Sequence, residues 1–282
     1  MSRHPRRMVA RETVDILERG DYRAPSGRTV RIADALALSI GDTVLYTPAE
    51  LNGLLAAARR ARGPEFATRI EVTDETTLAA ARRLGDPGQV PLALNFASAK
   101  NPGGGFLNGA HAQEEGLARS SGLYASLRAA PEFYAFHREQ RDLLYSDHMI
   151  YSPNVPVFRD DSGRLLEEPY PVAFLTSAAP NCGAIRDKDK AERIPAALAL
   201  RARKVLAAAL AHGHRRLVLG AWGCGVFRND PHEVAGVFAE ALRPGAEFAG
   251  RFEHVVFAVW DTAQGSPRRA AFQEVFAGLV TA

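Results

Sequence analysis

The chain has 282 residues, 46% of them hydrophobic and 24% charged, enough for a sizeable core in one large or two small domains and outside the disordered and fibrous classes. A net charge of +3 is too small to argue for a nucleic-acid partner, and no stretch approaches the roughly 18 apolar residues of a membrane span. The basic N-terminus has no apolar core or cleavage site of a secretory signal, and Cys182 and Cys224 sit in no zinc-ligand spacing, so the expectation is a cytoplasmic protein with two buried thiols and neither metal nor cofactor.

Helical and strand patterns alternate along the chain. Val9, Val14, Ile16 and Leu17 predict a helix over 9–19, followed by an extended, Gly/Pro-punctuated stretch to Ile32. Thr47 as N-cap and Pro48 at the first helical position predict a helix over 47–62. A strand over 69–73 precedes a helix over 74–85 with an Asp cap. Residues 90–98 read as a strand buried on both faces. A helix runs from Gln113 to about Arg128, and another follows Pro131. Two strands, 148–158 and 170–181, are linked by a polar turn. The longest helix covers 187–214. A buried strand begins at 215, Asp230 caps a helix over 230–242, a strand covers 254–261 and a helix ends the chain. The alternation predicts a three-layer α/β/α sandwich around a mixed, mostly parallel sheet, with residues 1–62 as a helical and extended extension packed on a 63–282 core.

In such sheets ligands bind at the carboxyl ends of strands, and both glycine-rich loops fall there. The first, NPGGGFLNGAH, follows the 90–98 strand, and the second, GAWGCGVFRND, follows the strand that begins at 215. Their bare amides can form anion-binding nests, and two nests on one cleft suit a pyrophosphate. Neither is a GxxxxGK[ST] or GxGxxG fingerprint, so the phosphate is expected to be held rather than transferred. Glu114 and Glu115 follow the first loop directly. Adjacent helical side chains diverge by about 100°, so the two acids can do different work; the simpler reading is a first turn that complements the helix dipole.

GGG, seven residues, then QEE resembles the signature of poly(ADP-ribose) glycohydrolases, carried here by Gly103, Gly104, Gly105, Gln113, Glu114 and Glu115. LNFAS, with Asn95, is similar to the strand-end motif of macrodomains, and SAAPN and GAWGCGVFRNDP resemble segments of the bacterial branch. The resemblance covers roughly residues 90–262. It implies a macrodomain that binds ADP-ribose and hydrolyses ribose–ribose O-glycosidic bonds in poly(ADP-ribose), with ADP-ribosylated proteins as partners and no direct contact with DNA. It implies Glu115 as catalytic acid/base and Glu114 as a ribose-orienting partner. Asn95 would anchor a distal-ribose hydroxyl. Gly103 to Gly105 and Gln113 would line the first loop's side. Gly223, Cys224, Gly225, Val226 and Phe227 would form the second diphosphate loop. The family's Asn is replaced by Ser98, for which Asn101 could substitute.

A raised pKa is expected for Glu115, from a water-poor cleft and the neighbouring Glu114 charge. Among the remaining residues, His111 reads first as a surface or packing histidine and Trp222 and Trp260 as sheet aromatics. Phe106 fits a core or a ribose-facing role equally, and Arg3, Arg6 and Arg7 read as a solvated basic terminus. Two other functions stay open: a non-catalytic ADP-ribose reader, which would not need Glu115, and a mono-ADP-ribosyl hydrolase.

Overall fold

The computed structural model describes residues 2–61, 65–86 and 88–279. In chain order the elements are α1 (Arg3–Arg19), β1 (Asp21–Arg23), β2 (Thr29–Arg31), α2 (Ala33–Gly41), β3 (Val44–Tyr46), α3 (Pro48–Arg60), β4 (Arg69–Thr73), α4 (Thr77–Leu84) and β5 (Leu92–Phe96). They continue with α5 (Gln113–Ser120), α6 (Leu123–Arg128), α7 (Pro131–Glu139), β6 (Met149–Arg159), β7 (Leu165–Ser177), α8 (Lys188–Glu192), α9 (Ile194–Ala211), β8 (Arg216–Leu219), α10 (Pro231–Leu242), β9 (His254–Ala258) and α11 (Pro267–Phe276).

Seven strands form one sheet in the order β3-β6-β7-β5-β8-β9-β4. Strand β7 pairs parallel to β5, and β5, β8, β9 and β4 run parallel in turn; β3–β6 and β6–β7 are antiparallel. The mixed, mostly parallel sheet is the one expected. Its central strands are buried on both faces with a period of two. Ala93, Val218 and Val256 pack under α4–α7, and Leu94, Leu219 and Phe257 pack under α3 and α9–α11. Three layers result, and the carboxyl ends of β5 and β8, which are neighbours in the sheet, bring both glycine loops to one edge.

Several boundaries differ from the pattern in the sequence. Helix α1 begins at Arg3, six residues before the first periodic apolar position, because its basic first turns carry no apolar stripe. The stretch to Ile32 is the β1–β2 hairpin, but α2 and the three-residue edge strand β3 went unread. The expected 113–128 helix breaks between α5 and α6. There Gly122 N donates to Pro156 O at 2.9 Å, and a Cβ on Gly122 would meet Leu36 at 2.8 Å, so the chain turns to fit α2 and β6. The expected 187–214 helix breaks at Arg193, where Pro195 starts a new helix. Thr76, not Asp74, caps α4, accepting from Ala79 N at 3.1 Å.

The expected 62/63 domain boundary lies outside the described residues. Within residues 1–61, β3 joins the main sheet, and Leu51 and Leu55 of α3 sit in the core beneath it. Thr47 caps α3 as the sequence indicates: its hydroxyl accepts from Glu50 N at 3.3 Å, and the Glu50 carboxylate accepts from Thr47 N at 2.8 Å. Thr47→Ala is expected to cost ~1 kcal/mol in a urea unfolding titration. An unchanged midpoint would mean that packing alone fixes this helix start. No described helix is long and apolar enough to cross a membrane.

Candidate active site

A cleft of about 1110 Å³ opens at the carboxyl edge of the sheet. Its floor is built by α5. Gln113 fastens the start of this helix to β5: Phe96 N donates to its Oε1 at 2.9 Å, and its Nε2 donates to Leu94 O at 2.8 Å and Thr77 Oγ1 at 3.1 Å. Both ends of this amide are committed to the framework, although Gln113 also lines the cleft.

The two acids diverge as adjacent helical residues must. Glu114 points into the protein and is 3% exposed. Its oxygens accept from Ser98 N at 2.7 Å and Asn95 Nδ2 at 3.3 Å. Burial, opposed by these hydrogen bonds and assisted by the Glu115 charge, pushes its pKa up to about 8. Glu115 points to the first loop, where Gly105 N donates to Oε1 at 3.0 Å and Ala112 N to Oε2 at 2.9 Å. Ala112, the N-cap, has no side-chain acceptor, so only the carboxylate half of a capping box forms. The sequence places the raised pKa on Glu115; the large upward push that the structure carries falls on Glu114, because that side chain occupies the inward face of the helix.

An elevated carboxyl pKa has a thermodynamic consequence. Below pH 4.5 Glu114 is protonated in both folded and unfolded chains. Between there and about 8 the folded chain holds a proton that the unfolded chain has lost. The stability that Glu114 contributes is therefore present at low pH and lost as pH rises through this window, by an amount on the order of a few kcal/mol. Glu114→Gln is expected to be close to wild type near pH 4 and increasingly more stable than wild type toward pH 9. Parallel Tm-against-pH curves for the two proteins would rule this out.

Two expected positions lie behind the cleft surface. Asn95 is fully buried and spends its amide on Glu114 and on Thr176 Oγ1 at 3.1 Å. Gly103 packs against Phe106 and Ala118, and Phe106 is a core aromatic against Tyr124. Gly104 (φ 59°) and Gly105 do line the cleft, as do Ser98 and Asn101. A Cβ on Gly104 would collide with the Glu115 carboxylate.

On the facing wall Gly223, Gly225, Val226 and Phe227 line the cleft. Cys224 does not: its thiol turns to Trp222 O at 3.7 Å, and burial pushes its pKa up to about 12. Gly223 (φ 74°) is held by Asn229, whose Nδ2 donates to Gly223 O at 3.1 Å and Pro180 O at 2.8 Å. Asn229 went unread because it precedes the Asp230 cap and passes for part of the turn. Trp222, in the turn after β8, is buried and donates its Nε1–H to Ser177 O, whereas Trp260 is 54% exposed on the cleft rim with its ring 6.5 Å from that of His111. Helix α1 adds Arg6 and Val9 to the lining, a contribution no local pattern shows.

The geometry is that of a pocket with two glycine walls and one carboxylate held at its floor by backbone amides. A family model described as microbial-type PARG, catalytic domain, matches residues 10–160. The chain belongs to this family of poly(ADP-ribose) glycohydrolases. Among solved structures, the poly(ADP-ribose) glycohydrolase of Thermomonospora curvata is 68% identical, with 97% of this chain and 100% of that one covered and a TM-score of 0.93. The T. curvata enzyme bound to the inhibitor ADP-HPD is 67% identical, with 96% and 99% covered and a TM-score of 0.90. The Deinococcus radiodurans enzyme in complex with ADP-ribose is 48% identical, with 89% and 100% covered and a TM-score of 0.83. A search of curated proteins found no match. Family membership accounts for the three-layer fold and makes the protein a hydrolase.

Proposed function

We propose that the chain hydrolyses the ribose–ribose O-glycosidic bond of poly(ADP-ribose), releasing ADP-ribose, with Glu115 as the single general acid and base. The observation that carries this reading is the Glu115 carboxyl group in the cleft, held from two sides by the Gly105 and Ala112 amides where the bare Gly104 lets it approach the chain. Held this way, its orientation is set before substrate arrives.

In the first half-reaction protonated Glu115 gives its proton to the departing 2′-oxygen. The bond from that oxygen to the anomeric carbon breaks, and positive charge spreads over the ribose as an oxocarbenium-like species. Ionised Glu115 then takes a proton from water as the water oxygen bonds to the anomeric carbon, which regenerates the acid. Glu114, neutral near pH 7 by its pKa of about 8, places little negative charge beside its neighbour and is suited to hydrogen-bond ribose hydroxyls. The diphosphate lies between the Gly104–Gly105 and Gly223–Phe227 walls. Val226, 79% exposed at the tip of the second loop, and Phe227 give that wall an apolar surface for a sugar. Polymer attached to ADP-ribosylated proteins is the natural partner for such a site.

The test is release of ADP-ribose from polymer by the wild type and by Glu115→Ala. Binding of ADP-ribose without release by the wild type would overturn the enzyme reading. Release from singly modified protein but not from polymer would reassign the substrate.

A further inference from the structure

Arg119 lies one turn beyond Glu115 on α5 and is 5% exposed, yet it has no salt-bridge partner among the described residues. A buried cation is costly unless something nearby uses it. Its hydrogen bonds all go to the segment before the helix: Nη1 donates to Ala110 O at 2.7 Å, and Nη2 lies 3.3 Å from His111 Nδ1. Its own carbonyl accepts from Thr13 Oγ1 of α1 at 2.6 Å, so the α5 backbone carrying it is fixed from outside. The segment it grips ends at Ala112, whose amide holds Glu115 Oε2. Burial lowers the Arg119 pKa to about 10, with Glu115 acting favourably on the charge and Arg6 unfavourably.

We propose that Arg119 is a positioning residue for Glu115: it pins the 110–112 segment whose amide orients the carboxyl group. This rests on the assignment of Glu115 as acid and base. The other ionisable groups around Glu115 are Glu114 on the same helix, His111 in the loop and Arg6 from α1. Burial, Arg119 and Arg6 all lower the His111 pKa, so around neutral pH Arg119 and Arg6 are the cations in this group. Glu115 must be protonated for the first half-reaction and ionised for the second. Both proton transfers depend on where its oxygens are held, which the 110–112 segment decides.

Two variants test the grip. Arg119→Lys keeps the charge, but an ammonium cannot span Ala110 O and His111 Nδ1 as a planar fork does. Its kcat is expected to fall about tenfold. Arg119→Gln is expected to lose about thirtyfold in kcat. Both should bind ADP-ribose within about threefold of wild type, so that the loss sits in kcat and not in KM. Wild-type kcat in Arg119→Gln, or affinity for ADP-ribose lost in proportion to rate, would overturn the proposal. So would a fall in Tm as the only change in either variant. Should wild type itself release no ADP-ribose, the proposed function fails, and positioning is read without turnover from the ¹³C-carboxyl shift of Glu115 and the ¹⁵N shift of the Ala112 amide in the resting protein. Arg119→Gln must move both; unmoved shifts in Arg119→Gln end the proposal.

Discussion

Glu115→Gln is expected to lower kcat for release of ADP-ribose by about 10³-fold while the Kd for ADP-ribose stays within about threefold. The substitution is nearly isosteric and keeps one oxygen for either the Gly105 or the Ala112 amide, which hold the carboxylate at 3.0 and 2.9 Å. The NH₂ group faces a donor at the other end, so the side chain turns slightly but stays in the cleft. What disappears is the transferable proton. General acid–base catalysis by one positioned group contributes about 10²–10⁴-fold, and 10³-fold corresponds to about 4 kcal/mol at the transition state. Because the proton moves only in the reaction, ground-state binding of the product is spared, and the loss belongs in kcat rather than in KM. Single-turnover hydrolysis paired with calorimetric binding checks both halves. A loss smaller than about tenfold would transfer the acid role to another carboxyl group of the cleft lining, with Glu114 adjacent in the chain.

How much of this was legible in the sequence follows from the range of the interactions involved. Gly104, Gly105 and the two acids lie within twelve residues of one another, and the helical turn that separates Glu114 from Glu115 is local geometry, so their unequal placement could be read from spacing. Thr47, Pro48 and Asp230 announced helix starts because a cap acts within one turn. Asn95 reads the same from the sequence whether it faces ligand or backs a carboxylate, because Thr176, one partner of its amide, lies 81 residues away. Arg119 carries no signal in the sequence, since its grip on Ala110 depends on how the loop folds back over the helix. The lining supplied by α1 depends on Arg3 and Arg6 donating to Asn108 O and Gly109 O across more than a hundred residues, and on Gly109 accepting the helix against its bare Cα. Hydrophobic periodicity reports which face is buried, not what covers it.

Gly104→Ala is expected to lower kcat by about 100-fold, against a modest loss of stability. Gly104 has φ 59°, in the left-handed region, where an alanine costs about 1 kcal/mol. That strain alone would register as a lower Tm and nothing more. The larger effect is steric: the added methyl would overlap Glu115 Oε1 and lie 3.1 Å from Glu114 Oε2. The loop cannot retreat without giving up the Gly105 N bond to the same carboxylate, so Glu115 must swing and lose the orientation on which proton transfer depends. Neighbouring glycines supply the contrast. Gly103→Ala puts its methyl 3.0–3.1 Å from Phe106 and Ala118, away from both acids, and is expected to destabilise more than it slows. Gly225→Ala, on the opposite wall, meets no described protein atom within 4 Å and has no positive φ, so it is expected to leave stability unchanged, and a loss of rate there would act through the diphosphate wall and not through Glu115. If Gly104→Ala kept wild-type kcat while its Tm fell, the bare backbone would serve only the turn. If rate falls with Gly104→Ala and drops less than stability in Gly103→Ala, one glycine of the cluster is there to let a carboxyl group approach the chain, and its neighbour shapes the loop that presents it.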